Sequence, residues 1–140
     1  MNDTSEAASK ARSDTRSARK YGTLLLSATT LVGDDICNRY GEKLGYIKDF
    51  MLDMDNGRIR YAVMSCGGFL GMGDRLFAIP WSALDLDTER RCFLLDVGID
   101  RLKAAPGFDK DDWPDMADEQ WAGKVRYHFR RLKDGSRPVL

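Results

Sequence analysis

The sequence predicts a mainly β chain, a small barrel of about five to six strands followed by a C-terminal helical extension. Three observations carry that prediction. Gly41 to Pro80, GEKLGYIKDFMLDMDNGRIRYAVMSCGGFLGMGDRLFAIP, reads as three consecutive strands joined by two glycine-bearing connections. Short apolar runs separated by turn residues continue on both sides of it, the spacing of a small barrel or sandwich. From Asp115 the apolar period changes, and Trp121, Val125 and Phe129 recur every four residues on one face of a helix.

Composition bounds the rest. A chain of 140 residues is one domain's worth with at most a short extra arm, long enough for a core without disulfides. The formal net charge is zero, whereas a dedicated nucleic-acid binder shows a basic excess, so DNA is not an expected partner. Cys37, Cys66 and Cys92 are scattered, odd in number and without a CxxC, and His128 is the one histidine. A zinc site needs about four clustered N/S ligands; no metal and no cofactor is expected, and the cysteines read as small apolar residues in strands of a reducing compartment. No segment approaches the ~20 apolar residues that span a bilayer, and Leu24-Leu25-Leu26 is too short for a signal-peptide core. The expectation is a soluble, cytoplasmic protein with no membrane span.

Along the chain, residues 1–20 form an arm rich in Ser, Ala, Asp, Lys and Arg with no large apolar residue after Met1. Such a segment buries too little surface to offset its ordering entropy, so it reads as disordered, its basic end Lys10 to Lys20 a solvated charge run. Residues 21–104 hold the barrel and 105–140 the extension. Ser27 is placed to cap one helical turn. Asp34 to Asn38 is a short strand. Lys43 to Asp53 is the longest one, with Leu44, Tyr46, Phe50 and Leu52 in one phase and Ile47, Asp49 and Met51 in the other. Apolar residues on both faces suit a barrel strand, or one whose facing a bulge changes. Asn56-Gly57 predicts a type I′ hairpin turn, in which both central residues need positive φ. Arg58 to Cys66 alternates at first, Gly67 to Asp74 breaks the strand, and Arg75 to Pro80 is the next one, ended by Pro80. Trp81 to Leu84 reads as a tight turn whose indole plugs one barrel end. Asp85 to Glu89 reads as a polar connection, Arg91 to Val97 as the last strand, and Ile99 to Ala105 as one helical turn. In the extension, Asp115 and Asp118 suit a helix start, and Gly123 inside the helix costs about 1 kcal/mol.

Several motifs invite chemistry. Asp49, Asp53, Asp55 and Asn56 suggest calcium, but counting from Asp53 an EF-hand would need its glycine at Arg58 and its glutamate at Met64. Asp49, in the phase of Ile47, is expected to be semi-buried and to accept backbone N–H groups. The loop Gly67-Gly68-Phe69-Leu70-Gly71-Met72-Gly73 has no Gly-Lys-Ser/Thr ending and no following helix, so its glycines shape an excursion and do not cradle phosphate. His128 stands apart from Ser65 and Ser82, which leaves no hydrolytic triad in view.

Gly41, Gly45, Ile47, Asp49 and Asp53, then Gly57-Arg58-Ile59, Tyr61-Ala62-Val63 and GGFLGMGD before Phe-Ala-Ile-Pro-Trp, resemble the PRC-barrel pattern over roughly Leu26 to Leu102. This is the β-barrel module of the photosynthetic reaction-centre H subunit's cytoplasmic domain and of a ribosome maturation factor's C-terminal part. Ala105-Pro106-Gly107-Phe108 and Trp113-Pro114-Asp115 resemble the extension of stand-alone bacterial members. The resemblance implies a PRC-type barrel that docks onto a larger assembly without catalysing a reaction.

The expected function is therefore a non-catalytic, protein-interaction adaptor or assembly module whose partner is another protein or a larger assembly, a homodimer included. The second reading is a ribosome maturation or RNA-processing accessory factor, resting on the basic arm with Lys124, Arg126, Arg130, Arg131 and Lys133. The expected contact residues are Phe69, Leu70 and Met72, which carry more apolar surface than a turn needs, with Trp121 and Phe129. For each set the alternative is packing onto the chain's own barrel.

Overall fold

Two long antiparallel strands, β4 (Lys43–Asp53) and β5 (Arg58–Ser65), are the base on which the sheet is built. The structure, a computed structural model, describes residues 17–20, 23–68, 71 and 73–130. The register of the central pair slips twice. Tyr46 faces Ser65 and Ile47 faces Met64, but Asp49 faces Val63, which leaves Lys48 as an extra residue on β4. Met51 then faces Tyr61 while Leu52 faces Ile59, which leaves Arg60 as an extra residue on β5. The two bulges cancel, so the hairpin closes in its original register at Asp53 and Arg58. This is how one strand shows apolar residues on both faces. It also corrects the expectation for Asp49: the bulge at Lys48 turns its side chain out to solvent, where Oδ1 accepts the Phe50 amide at 2.8 Å.

Gly45 sits where β4 and β5 press closest. A Cβ there would collide with the Ser65 carbonyl oxygen, so no other residue fits without moving the strand. β6 (Leu76–Pro80) pairs with the other side of β5, and all five of its residues are buried, as are Tyr61 to Ser65 opposite. A pair buried on both faces reads as an unbroken apolar run, which is why alternation fades along β5.

A short 3-10 turn, Trp81–Ala83, leads into β7 (Leu84–Asp87), which pairs with β8 (Cys92–Leu95). The turn stands where the sequence expects it, one residue shorter, but the strand β7 corrects the expected polar connection: Leu84 is buried and Leu86 half-buried, alternating with Asp85 and Asp87. β8 lies parallel to β3 (Asp35–Cys37), with Ile36 facing Phe93. That one long-range pairing gives the six-stranded sheet its order, β6-β5-β4-β3-β8-β7, a half-barrel around Ile36, Leu44, Ile47, Phe77 and Ile79. Burying each such side chain stabilises by roughly 1.5–3 kcal/mol.

Asn38 ties the turn after β3 to the segment that follows β8. It is fully buried, and its side chain is fully bonded: Oδ1 accepts the amides of Tyr40 and Glu42 at 3.0 Å, and Nδ2 donates to Glu42 Oε1 at 2.8 Å and to the Val97 carbonyl at 3.1 Å. Before β3, the end of the expected arm is ordered. β1 (Ser17–Lys20) pairs with β2 (Thr23–Leu26), because the Leu24-Leu25-Leu26 backbone offers it a ladder partner. Residues 1–16 lie outside the described residues. Ser27 precedes α1 (Ala28–Leu31), but its hydroxyl bonds Thr29 Oγ1 at 2.9 Å and does not cap the turn.

The extension covers the outer face of β5 and β6. After α2 (Ile99–Lys103), Phe108 exchanges both backbone hydrogen bonds with Leu76, at 2.8 and 2.9 Å, and so borders the β6 edge. α3 (Glu119–Phe129) starts at Asp118, whose carboxylate accepts the Trp121 amide at 3.4 Å. It turns Ala122, Val125 and Phe129 inward, and Trp121 meets Tyr61 edge-on at 5.5 Å. Arg101 and His128 then clasp α2 to α3. The guanidinium donates to the His128 carbonyl at 2.9 and 3.3 Å, and His128 Nε2–H donates to the Arg101 carbonyl at 2.8 Å.

Candidate protein-interaction surface

The β4–β5 hairpin projects past the covered part of the sheet. Its turn, Met54 to Gly57, corrects the expected type I′ geometry: Gly57 has φ 72°, but Asn56 is not in the left-handed region. The loop has four residues, closed by the Gly57 amide on the Asp53 carbonyl at 2.8 Å. Asn56 works through its side chain, whose Oδ1 accepts the Arg58 amide at 3.1 Å. Asp53 Oδ1 accepts the Asp55 amide at 3.0 Å, and this bond, with lesser help from the Asn56 amide and the Arg60 guanidinium 3.4 Å away, holds the carboxyl below its ordinary pKa. Of the residues that suggest calcium, the side chains of Asp53 and Asn56 serve the turn itself, while Asp49 accepts the Phe50 amide on β4.

The hairpin carries Leu52, 57% exposed, and Met54, 82% exposed. Arg58 and Arg60 flank them, Arg60 lying over the Tyr61 ring at 5.9 Å. Sequence reasoning misses Leu52 and Met54. Strand phase assigns Leu52 to the face of Leu44, which is buried, whereas Leu52 is exposed near the hairpin end.

Trp81 closes the neighbouring end of the barrel. Its indole lies 5.9 Å from the Phe50 ring and 5.7 Å from the Phe93 ring, so it bridges β4 and β8 from the inside. Beside it, two hollows of about 570 and 700 Å³ run together along Pro80, Ser82 and Arg126. One opens toward Arg58 and Arg60, the other toward Gly123, Tyr127 and Arg130 of the α3 side. Tyr127 is 68% exposed, and the Arg130 guanidinium stacks on it at 4.1 Å.

Of the residues singled out from sequence, Trp121 and Phe129 are described. Trp121 is half-buried under α3 and Phe129 is buried beside it, both packed on the barrel. Phe69, Leu70 and Met72 lie outside the described residues, as do Arg131 and Lys133. In the same loop as Phe69, the glycines Gly67, Gly68, Gly71 and Gly73 all have positive φ and shape the excursion. Ser65 Oγ accepts the Gly67 amide at 3.0 Å and His128 is held by Arg101, so each has a structural partner.

Cys37 and Cys92 are neighbours on the face of β3 and β8 opposite Ile36 and Phe93. Burial, then the nearness of Cys37, pushes the Cys92 thiol up to about 12, and burial alone raises Cys66. Both stay protonated near neutral pH and are poor nucleophiles there. Among the described residues no group of three His, Cys, Asp or Glu is placed to hold a metal ion. No helix among them is long and apolar enough to cross a membrane.

No curated protein matches the sequence. The family model for the PRC-barrel domain matches residues 25–102, more than half of the chain and the whole of the six-stranded sheet. Modules of this kind are of protein-interaction type and are generally non-catalytic. On the half-barrel topology and this match together, the chain belongs to the PRC-barrel domain family.

Proposed function

We propose that this protein is a non-catalytic adaptor of the cytoplasm, a PRC-barrel that docks onto a larger protein assembly. The observation that carries the proposal is the β4–β5 hairpin, which presents Leu52 and Met54 to solvent, with Arg58 and Arg60 exposed on the paired strand. Apolar side chains inside a charged rim are the composition of a docking surface. Phe69, Leu70 and Met72, outside the described residues, are carried into the proposal as further contact residues, while Trp121 and Phe129 pack α3 onto the barrel. The test is affinity capture from the native cell with Leu52→Asp/Met54→Asp and Phe69→Asp/Met72→Asp proteins whose folding is checked by circular dichroism. Loss of the partners captured by the wild-type chain is expected. If both double variants keep every partner, the adaptor reading is wrong.

A ribosome or RNA accessory role is the second reading, favoured by Arg126 and Arg130 beside the exposed ring of Tyr127, with Arg58 lining the adjoining hollow. It requires retention on ribosomal RNA or subunits that weakens steeply with salt.

A further inference from the structure

The charge on the extension is sorted by position. Asp109, Asp111, Asp112, Asp115, Asp118 and Glu119 are all exposed, and Lys110 is the single cation among residues 109–119. Arg126 and Arg130 are exposed at the other end of α3, with Lys124 between. The 11 residues of α3 separate the two ends by roughly 16 Å. Glu119 and Asp118 at the helix start suit the macrodipole, but that effect fades within the first turn and does not account for the run from Asp109. Among the described residues no ion pair engages Asp111, Asp112, Asp115 or Arg126.

Gly123 is a second, independent observation. It stands near the middle of α3, where glycine costs about 1 kcal/mol relative to alanine. The barrel does not require it: a Cβ there would meet nothing nearer than Arg126 Nη2 at 3.9 Å. It faces the hollow lined by Pro80, Ser82, Arg126 and Tyr127. A helix with a bare midpoint, an acidic start and a basic end is complementary to a copy of itself running the opposite way.

We infer that a second copy of this chain docks on the α3 face, with the two α3 helices antiparallel about a two-fold axis. The helices approach at Gly123, and the Asp109–Glu119 run of each copy lies against Arg126 and Arg130 of the other. The contact is isologous, so each dimer makes the charged contact twice. Exposed Tyr127 of one copy then falls near Trp113 of the other, which is itself 39% exposed. Exposed ion pairs are individually weak and screened by salt, so the association is salt-sensitive. This surface is separate from Leu52 and Met54, so its test and that of the adaptor reading can fail independently.

The experiment is sedimentation equilibrium of the full chain. The wild-type protein is expected to dimerise at about 50 mM salt and to weaken at least about tenfold at about 500 mM. Arg126→Glu/Arg130→Glu and Asp111→Lys/Asp112→Lys/Asp115→Lys are each expected to be monomeric, with unchanged circular dichroism, and their equimolar mixture to recover a heterodimer. Gly123→Leu, a better helix former, is expected to weaken the dimer at least about tenfold while leaving thermal stability equal or higher. A wild-type monomer at low salt, a dimer that both charge sets leave intact, or folded charge variants that fail to recombine would overturn the inference. So would a monomer whose Arg126 and Arg130 are needed only to bind RNA.

Discussion

The β4–β5 and β7–β8 hairpins are built alike and end differently. Each strand pair closes on an aspartate, Asp53 or Asp87, and each loop has four residues, 54–57 or 88–91. In each, the carboxylate accepts the amide two residues on, Asp55 at 3.0 Å and Glu89 at 3.1 Å, and lies near an arginine, Arg60 at 3.4 Å and Arg90 at 3.6 Å. Each loop ends in the left-handed region, at Gly57 with φ 72° in one and at Arg91 with φ 56° in the other. Arginine carries a steric penalty there that glycine does not. Asp87 offsets part of it by accepting the Glu89 and Arg90 amides, both at 3.1 Å. One loop is thus made by a permissive residue, the other by side-chain hydrogen bonds that hold an unfavourable one.

The largest expected effect follows from removing the permissive residue. Gly57→Val puts a β-branched side chain at positive φ and should cost about 2 kcal/mol in urea-unfolding free energy. Asp87→Ala comes next, at about 1 kcal/mol, because the second loop then keeps its strained residue without the carboxylate that accepts the Glu89 and Arg90 amides. Arg91→Gly runs the comparison the other way and should gain about 0.5 kcal/mol; a loss would mean that Arg91 is not strained.

The smallest effects separate the loops by pH. The Asp53 carboxyl is held low by the Asp55 amide, so its stabilisation is complete above its ordinary pKa and is lost as pH falls through the lowered folded value. The protection of the Asp55 amide against exchange, relative to its intrinsic rate at each pH, should fall in acid, and Asp53→Asn should remove that dependence. Cys92 begins the strand after the second loop, and burial raises its thiol to about 12. Its stabilisation is complete below about 9 and is lost as pH rises toward 12, so alkali should loosen β7–β8 first and Cys92→Ala should flatten that limb.

These loops also show what is legible. Asn56-Gly57 announces the first hairpin; the second has no glycine, and β7 reads as a connection although Leu84-Asp85-Leu86-Asp87 alternates. Of the Asn38 bonds, those to Tyr40 and Glu42 are local, but the one to the Val97 carbonyl, 59 residues on, has no signal in the sequence. The apolar spacing of Trp121, Val125 and Phe129 places α3 on a packed face, but strand phase does not place Leu52 and Met54 in solvent near the hairpin end.

Local chemistry in the sequence determined the strands from Lys43 to Pro80, the glycine turns and the helix after Asp118, because periodicity and turn propensity act over a few residues. Tertiary structure decided the parallel β3–β8 pairing, the two compensating bulges and the covering of β5 and β6 by the extension. Those depend on which backbone groups meet across tens of residues, and no local pattern records that.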